Sequence, residues 1–151
     1  MKHRLAILVV LAAAGSALAV TNTRAGGGNQ NLDLTGTVTG FHIALDARPT
    51  GHSPGDIGYE TGNLFMKSKP AGRFQGICTQ LAHASSQCSF TLGLSAGQIV
   101  IDAAYGPGFN TGNLAREAVV GGTGAYAGAR GQGLDRELTD TKIAFHLELS
   151  Q

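Results

Sequence analysis

From Leu32 the chain alternates between apolar and polar or small residues with a period of two, the pattern of strands with one buried face. Leu32, Leu34 and Val38 share one side, and Phe41, Ile43 and Leu45 take the other. The switch falls at Gly40, where a glycine-assisted bulge re-aims a long first strand. A second strand is predicted over Asp56 to Lys67, with Ile57, Tyr59 and Phe65 alternating against Gly58, Glu60 and Gly62. Between the two, Arg48 to Gly55 carries Pro49, Gly51, Pro54 and Gly55; it cannot hold a ladder and is expected to form a mobile rim. Lys69-Pro70-Ala71-Gly72 is expected to turn the chain into a hairpin bearing Cys78 and Cys88. Ser95-Ala96-Gly97 then turns it into a strand over Gln98 to Ala104, and Tyr105 to Asn113 reads as a long glycine-rich loop. Leu114 to Val120, Ala129 to Glu137 and Thr141 to Leu149 complete a set of about eight antiparallel strands with almost no helix.

Composition sharpens this picture. Twenty-three glycines without a collagen period, many of them ending apolar runs, suit a turn-rich β protein. A small sheet of this kind removes its exposed edges by closing into a barrel, although periodicity alone fits an open sandwich equally well. Residues 1–19 read as a secretory signal: Lys2 and Arg4 open it, Leu5 to Ala14 form an apolar run, and Ala17-Leu18-Ala19 gives a small-x-small cleavage pattern. That run is shorter than the roughly 20 apolar residues a transmembrane helix needs. A second cut after Ala25 is an alternative, and residues 20–30 read as a flexible lead-in to a single domain over 31–151. Without Lys2 and Arg4, nine basic residues stand against ten acidic ones, so no basic face remains for nucleic acid or an anionic membrane.

Cys78 and Cys88 lie beyond the signal, in a chain routed to an oxidising compartment, where a disulfide is the default. The polar segment between them reads as a hairpin turn. If the two cysteines face each other, Phe74 faces Leu92 and Gly76 faces Phe90, which gathers Phe74, Phe90, Leu92 and Leu94 on the cysteines' side. Closing so short a loop is expected to contribute roughly 2–3 kcal/mol.

Ala118 to Gly131 reads A-V-V-G-G-T-G-A-Y-A-G-A-R-G. Gly122-x-Gly124 with Ala127 looks at first like a dinucleotide-binding turn, but that turn works only when a helix follows and holds the pyrophosphate. Twenty residues remain after Gly131, and none of them reads as a long amphipathic helix. Extended back to Arg116-Glu117, the stretch instead resembles the signature of plant dirigent proteins and allene oxide cyclase-like barrels: an R-E pair, a valine-rich strand, G-G-T-G, an aromatic and A-R-G. Gly72-Arg73-Phe74-Gln75-Gly76 resembles the preceding Q-G strand of that family, and Pro54-Gly55-Asp56 its G-D strand start. The resemblance covers roughly residues 31–149 and implies an all-β fold, an eight-stranded antiparallel barrel that is frequently a homotrimer.

It also implies a use for the barrel interior. Such barrels hold a small apolar or aromatic molecule, already primed to react, in one shape, which lowers an entropic barrier. A few polar side chains then stabilise developing charge. The resemblance nominates Arg130, of A-R-G, to hold a substrate oxygen, and Asp56 to accept a hydrogen bond at the cavity mouth. Arg116 and Glu117 form a polar pair of which alternation sends one inward; Tyr126 packs under the glycine turn or contacts ligand; Tyr59 is a further ligand contact. For each the alternative is structural: a turn carboxylate, an ion pair, a packed ring. Allene oxide cyclases carry a glutamate on the first strand and an asparagine on the second. Here Gly36 to Asp46 has no glutamate, and the asparagine position falls on Gly62, with Asn63 on the opposite face. Epoxide cyclisation itself is therefore not expected.

No cofactor and no metal is expected. His42, His52, His83 and His146 have no H-x-H or H-x-x-x-H spacing, though His42 and His146 would be neighbours if the first and last strands closed the barrel. No G-x-S-x-G elbow supports a serine hydrolase. Two function classes stand: a cyclase-like or dirigent-like steering catalyst acting on a small molecule, or a non-catalytic secreted binding or surface protein. Inward polar residues beside an open cavity would favour the first, and an interior filled with Phe, Leu and Ile the second.

Overall fold

Every second residue of each strand points to a shared interior, and the strands close around it. The computed structural model describes residues 28–51, 53–82, 85–107 and 112–150. Its strands are β1 (Gln30–Leu45), β2 (Ile57–Met66), β3 (Lys69–Gln80), β4 (Ser86–Leu94), β5 (Gly97–Tyr105), β6 (Leu114–Gly122), β7 (Arg130–Thr139) and β8 (Lys142–Ser150). Each pairs antiparallel with its sequence neighbours, and β8 returns to β1 with Leu32 opposite Leu147 and Leu34 opposite Phe145, so the sheet is a closed barrel. Closure rather than an open sandwich leaves no unpaired edge. Among the described residues, no helix is long and apolar enough to cross a membrane. The signal-like segment lies outside the described residues, and β1 begins at Gln30, within the stretch read as a lead-in.

The expected cysteine register is present: Cys78 faces and bonds Cys88, Phe74 faces Leu92, and Gly76 faces Phe90. The expected break at Gly40 is also present, as a shift in the β1–β2 ladder between Val38 and Gly40. Two other boundaries move. The β2–β3 hairpin turns at Lys67-Ser68, both at positive φ (48° and 63°), because a two-residue hairpin needs left-handed residues to match strand twist. Lys69 to Gly72 therefore belongs to the strand. Tyr105, read as the start of a loop, is the last residue of β5.

One half of the interior is filled. Leu64, Leu92, Ile99, Leu147 and Leu149 are fully buried there, and Phe145 meets Phe74 and Phe90 edge-on at centroid distances of 6.1 and 6.3 Å. Edge-to-face contact is the favoured geometry for such rings. Room for them comes from glycines on facing strands: a Cβ on Gly62 would lie 2.2 Å from the Phe74 ring and 2.3 Å from the Thr37 carbonyl, and one on Gly76 would lie 2.4 Å from Phe90. Glycine here is the small partner of a large ring, which explains part of the glycine-rich composition.

The G-G-T-G turn seals the same end. Gly124 takes φ 61° in a one-turn 3-10 helix, Gly124–Tyr126, and Tyr126 is buried beneath it. Gly122 does not take positive φ. It is required for space: a Cβ there would lie 2.4 Å from the Tyr126 carbonyl and 2.8 Å from that of Gln98.

Candidate functional site

The other end of the barrel, where β1, β3, β5 and β7 finish, is open. A cavity of about 510 Å³ lies there, a size that suits one small organic ligand. Its apolar lining comes from Phe41 of β1, Phe90 of β4, Ile143 of β8 and the Cys78–Cys88 disulfide. Interleaved with these are polar groups: Glu60 of β2, Gln80 of β3, Ser86 of β4, Tyr105 of β5, and Asp135 and Glu137 of β7.

Alternation explains how these residues come to face inward. On β2 the buried Gly62 and Leu64 fix the inward parity, so Glu60 points in and Tyr59 points out. On β7 the buried Gly133 fixes it, so Asp135 and Glu137 point in while Arg136 is exposed. β6 sends Ala115, Glu117 and Val119 inward and leaves Arg116 exposed. On β6 and β7 the acids turn into the barrel and the adjacent base turns out.

The geometry concentrates carboxyl groups. The Tyr105 hydroxyl donates to Asp135 Oδ2 at 2.5 Å. Asp135 is 2% exposed, and its other oxygen, Oδ1, has no hydrogen-bond partner. Glu117 lies one residue pair deeper, between Ala103 of β5 and Gly133 of β7. It is 4% exposed and neither of its oxygens has a partner. Gly133 makes the space: a Cβ there would lie 2.8 Å from Glu117 Oε2.

Burying an ionised carboxylate without a partner is costly, and the group responds by keeping its proton. Burial, with Asp135 as the nearby negative charge, pushes Glu117 up to about 8. Asp135 is also raised by burial, against the lowering effect of the Tyr105 hydroxyl and of the Ala115 and Asp135 amides. Burial raises Glu60, helped by Glu137 and Asp135, and raises Glu137, helped by Asp140. Tyr105 is held protonated by burial and by the surrounding acids. Near neutral pH these polar groups therefore offer both hydrogen-bond donors and latent negative charge.

The residues nominated from sequence scatter. Glu117 is inside, next to the cavity. Tyr59 borders the cavity, but its ring stacks on His42 on the outer face, at a centroid distance of 5.0 Å. Arg116 is exposed on the outer face and is not paired across the strand with Glu117, because adjacent strand residues point oppositely. Asp56 braces the β1–β2 loop: its carboxylate accepts from the Ala47 amide at 2.7 Å and the Ser53 amide at 2.9 Å, the turn role that was its alternative. That loop, expected to be a mobile rim, also holds the buried Ser53, whose hydroxyl donates to the Ala47 and Pro49 carbonyls. Tyr126 packs under the glycine turn at the sealed end. Arg130 begins β7 at that sealed end, exposed, with Nη1 donating to the Ala129 carbonyl at 2.8 Å. It therefore stands on the rim opposite the cavity, because the turn that carries A-R-G joins β6 to β7 where the barrel is plugged.

Glu60, Tyr105, Asp135 and Glu137 were not nominated. The available signal was parity: Gly131-x-Gly133-x-Asp135-x-Glu137 alternates as regularly as any apolar strand, with acids in the inward register. Among the histidines, His146 bonds Asp33 on the outer face (Nδ1 to Oδ1, 2.6 Å) while His42 stacks on Tyr59; His52 and His83 lie outside the described residues. The first and last strands do close the barrel, but β8 pairs only with residues 30–37 of β1, short of His42. Among the described residues, no group of three or more His, Cys, Asp or Glu side chains is arranged to hold a metal ion.

The solved structures that resemble this barrel include a pyocyanin demethylase, with a TM-score of 0.69 and 22% identity over 80% of this chain and all of the other. They also include two pterocarpan synthase dirigent proteins. PsPTS1 has a TM-score of 0.65 and 17% identity, covering 85% of this chain and 97% of its own. GePTS1 has a TM-score of 0.62 and 20% identity, covering 81% and 83%. The fold is thus a dirigent-like barrel. No protein-family model and no curated protein sequence matches the chain.

Proposed function

We propose that this protein binds one small, flat apolar or aromatic molecule in the open half of the barrel and uses its inward carboxyl and hydroxyl groups to hold and steer it. The observation that carries the reading is the mixed lining of the cavity, in which Phe41, Phe90, Ile143 and the disulfide surround the same space as Glu60, Tyr105, Asp135 and Glu137. Ligand sites combine apolar lining with a few convergent polar groups in this way. A buried acid with neither oxygen partnered, as Glu117 is, reduces stability, so a packed interior would replace it with an apolar side chain. Similar barrels named for chemistry on pyocyanin and for pterocarpan synthesis support small-molecule chemistry on this scaffold. A steering role follows: apolar contacts fix the shape of a pre-activated ligand, and the acids donate to, or stabilise charge on, its polar atoms. A purely structural barrel would be filled along its whole length, and this one is filled along half.

The apolar run at the N-terminus and the disulfide support export followed by cleavage. N-terminal sequencing of exported protein, expected to start at Val20 or at Gly26, checks that part. For binding, the test fills the cavity. Ser86 lines it on β4, two residues before the inward Cys88, so Ser86→Trp places an indole in the ligand space. Wild-type protein is expected to bind members of a panel of tricyclic aromatics with dissociation constants in the micromolar range. Ser86→Trp should weaken that binding at least about tenfold, or 1.4 kcal/mol, with the melting temperature kept within a few degrees. Equal binding by the two proteins would remove the cavity from the account.

A further inference from the structure

We propose that the ligand of this cavity is a flat aromatic cation, a heteroaromatic ring system carrying positive charge. This rests on the reading of the cavity as a binding site and adds its charge selectivity. Among the described residues lining the cavity there is no lysine, arginine or histidine, while Glu60, Asp135 and Glu137 all face it. The neighbouring bases Arg116 and Arg136 are directed outward by strand parity, so they cannot neutralise the interior. Asp135 faces the space from a position 98% buried, with Oδ1 unused even though Oδ2 is taken by Tyr105. Behind it Glu117 is equally enclosed, with two unused oxygens. A neutral ligand without donor hydrogens would leave these acceptors as they are. An anion would be opposed by every titratable group that faces it. A cation is attracted by all of them across a short, poorly screened distance, and Phe41 and Phe90 add ring faces or edges to the same site, where aromatic rings favour positive charge.

The proton inventory makes this testable in a way that simple fit does not. Glu117 is faced by Tyr105 from β5 and by Asp135 from its own neighbour β7, with Glu60 of β2 across the cavity and Glu137 at the mouth; β8 presents only Ile143, Phe145 and Leu147. With the cavity empty these acids retain protons above their ordinary range. A cation favours their ionised forms, so it must expel protons, and its affinity rises with pH.

The experiment compares three probes of one shape at pH 8 by fluorescence titration: N-methylacridinium, a fixed cation; acridine, neutral at that pH; and acridine-9-carboxylate, an anion. The cation is expected to bind at least about tenfold more tightly than acridine, with the anion weakest. Between pH 8 and pH 6 the cation's advantage should fall, by up to about tenfold per pH unit for each proton exchanged. Glu60→Gln, at the half-exposed mouth, should reduce the cation's affinity severalfold and shrink its advantage over acridine. Acridine binding as well as or better than the cation would overturn the charge selectivity while leaving the binding cavity in place. Cation affinity that is undiminished in Ser86→Trp would place the cation outside the cavity and overturn the inference too. Failure of all three probes to bind would take down both this inference and the binding reading beneath it.

Discussion

The two halves of this barrel share strands, register and twist, yet their interiors are opposites. Toward the chain termini and the G-G-T-G turn, the inward positions are Leu32, Leu34, Leu64, Phe74, Leu92, Ile99 and Leu147, packed with essentially no exposure. Toward the other end the same strands present Glu60, Gln80, Ser86, Tyr105, Asp135 and Glu137 around open space. The packed half has the composition of a stability element, since each buried aliphatic or aromatic side chain contributes roughly 1.5–3 kcal/mol. The open half gives up part of that stability to buried acids, Glu117 and Asp135. A gradient of residue type along the barrel axis, rather than a separate domain or loop, divides stability from function.

That division is broken most severely in the packed half. Phe145→Ala removes the ring that contacts both Phe74 and Phe90, and should cost about 3–5 kcal/mol in urea unfolding. Gly62→Val forces a side chain against Phe74 and the Thr37 carbonyl, and should prevent accumulation of folded protein. Joint replacement of Cys78 and Cys88 by serine comes next, at about 2–3 kcal/mol. Exported wild-type protein should show no alkylatable thiol by mass spectrometry without reduction.

In the open half the sign of the effect depends on pH. Folded protein holds the Glu117 proton up to about pH 8, while an unfolded chain loses it near the ordinary glutamate value of 4.5. Between those values the folded state binds the extra proton, so the stability contributed by Glu117 is greatest at the low end and is lost as pH rises toward 8. Glu117→Gln should flatten this part of the stability–pH curve and be more stable than wild type at pH 8 by about 1–3 kcal/mol. Denaturant melts at pH 5, 6.5 and 8 check the slope. A wild-type curve that rises over this window would contradict the burial of Glu117 as a protonated acid.

Much of the fold was legible because its determinants are local. The period-two alternation located the strands, Gly40 marked the bulge, and the cysteine pair fixed a register that carried Phe74, Gly76, Phe90 and Leu92 with it. The site was less legible, for a physical reason. Sequence patterns assign inward positions by hydrophobicity, and the site lies where inward positions are polar. On β2 the apolar Ile57, Tyr59 and Phe65 share the outward parity and Glu60 the inward one, inverting the usual signal. The most recognisable motif was also misleading about location. A-V-V-G-G-T-G-A-Y-A-G-A-R-G is conspicuous because tight turns need glycine and close packing, and it belongs to the sealed end. Glu117, immediately before that stretch, faces inward by strand parity and lies near the start of β6, toward the open half.

The smallest effect is expected at Arg130. It is exposed on the sealed rim and bonded to the Ala129 carbonyl, so Arg130→Lys should change stability by no more than about 0.5 kcal/mol. It should leave ligand affinity unchanged. A tenfold loss of affinity in that variant would put a binding function at the sealed end and erase the contrast between the halves.

The most direct measurement is an amide chemical-shift titration of the isotope-labelled protein with N-methylacridinium, which reports both ends of the barrel in one experiment. The expected result is a set of shifts confined to the open half, centred on the amides of Glu60, Gln80, Tyr105, Asp135 and Glu137. Leu32, Leu149, Tyr126 and Arg130 should remain in place. Shifts centred on the Gly124–Tyr126 turn and Arg130, with the acidic residues silent, would contradict the assignment of function to the open half.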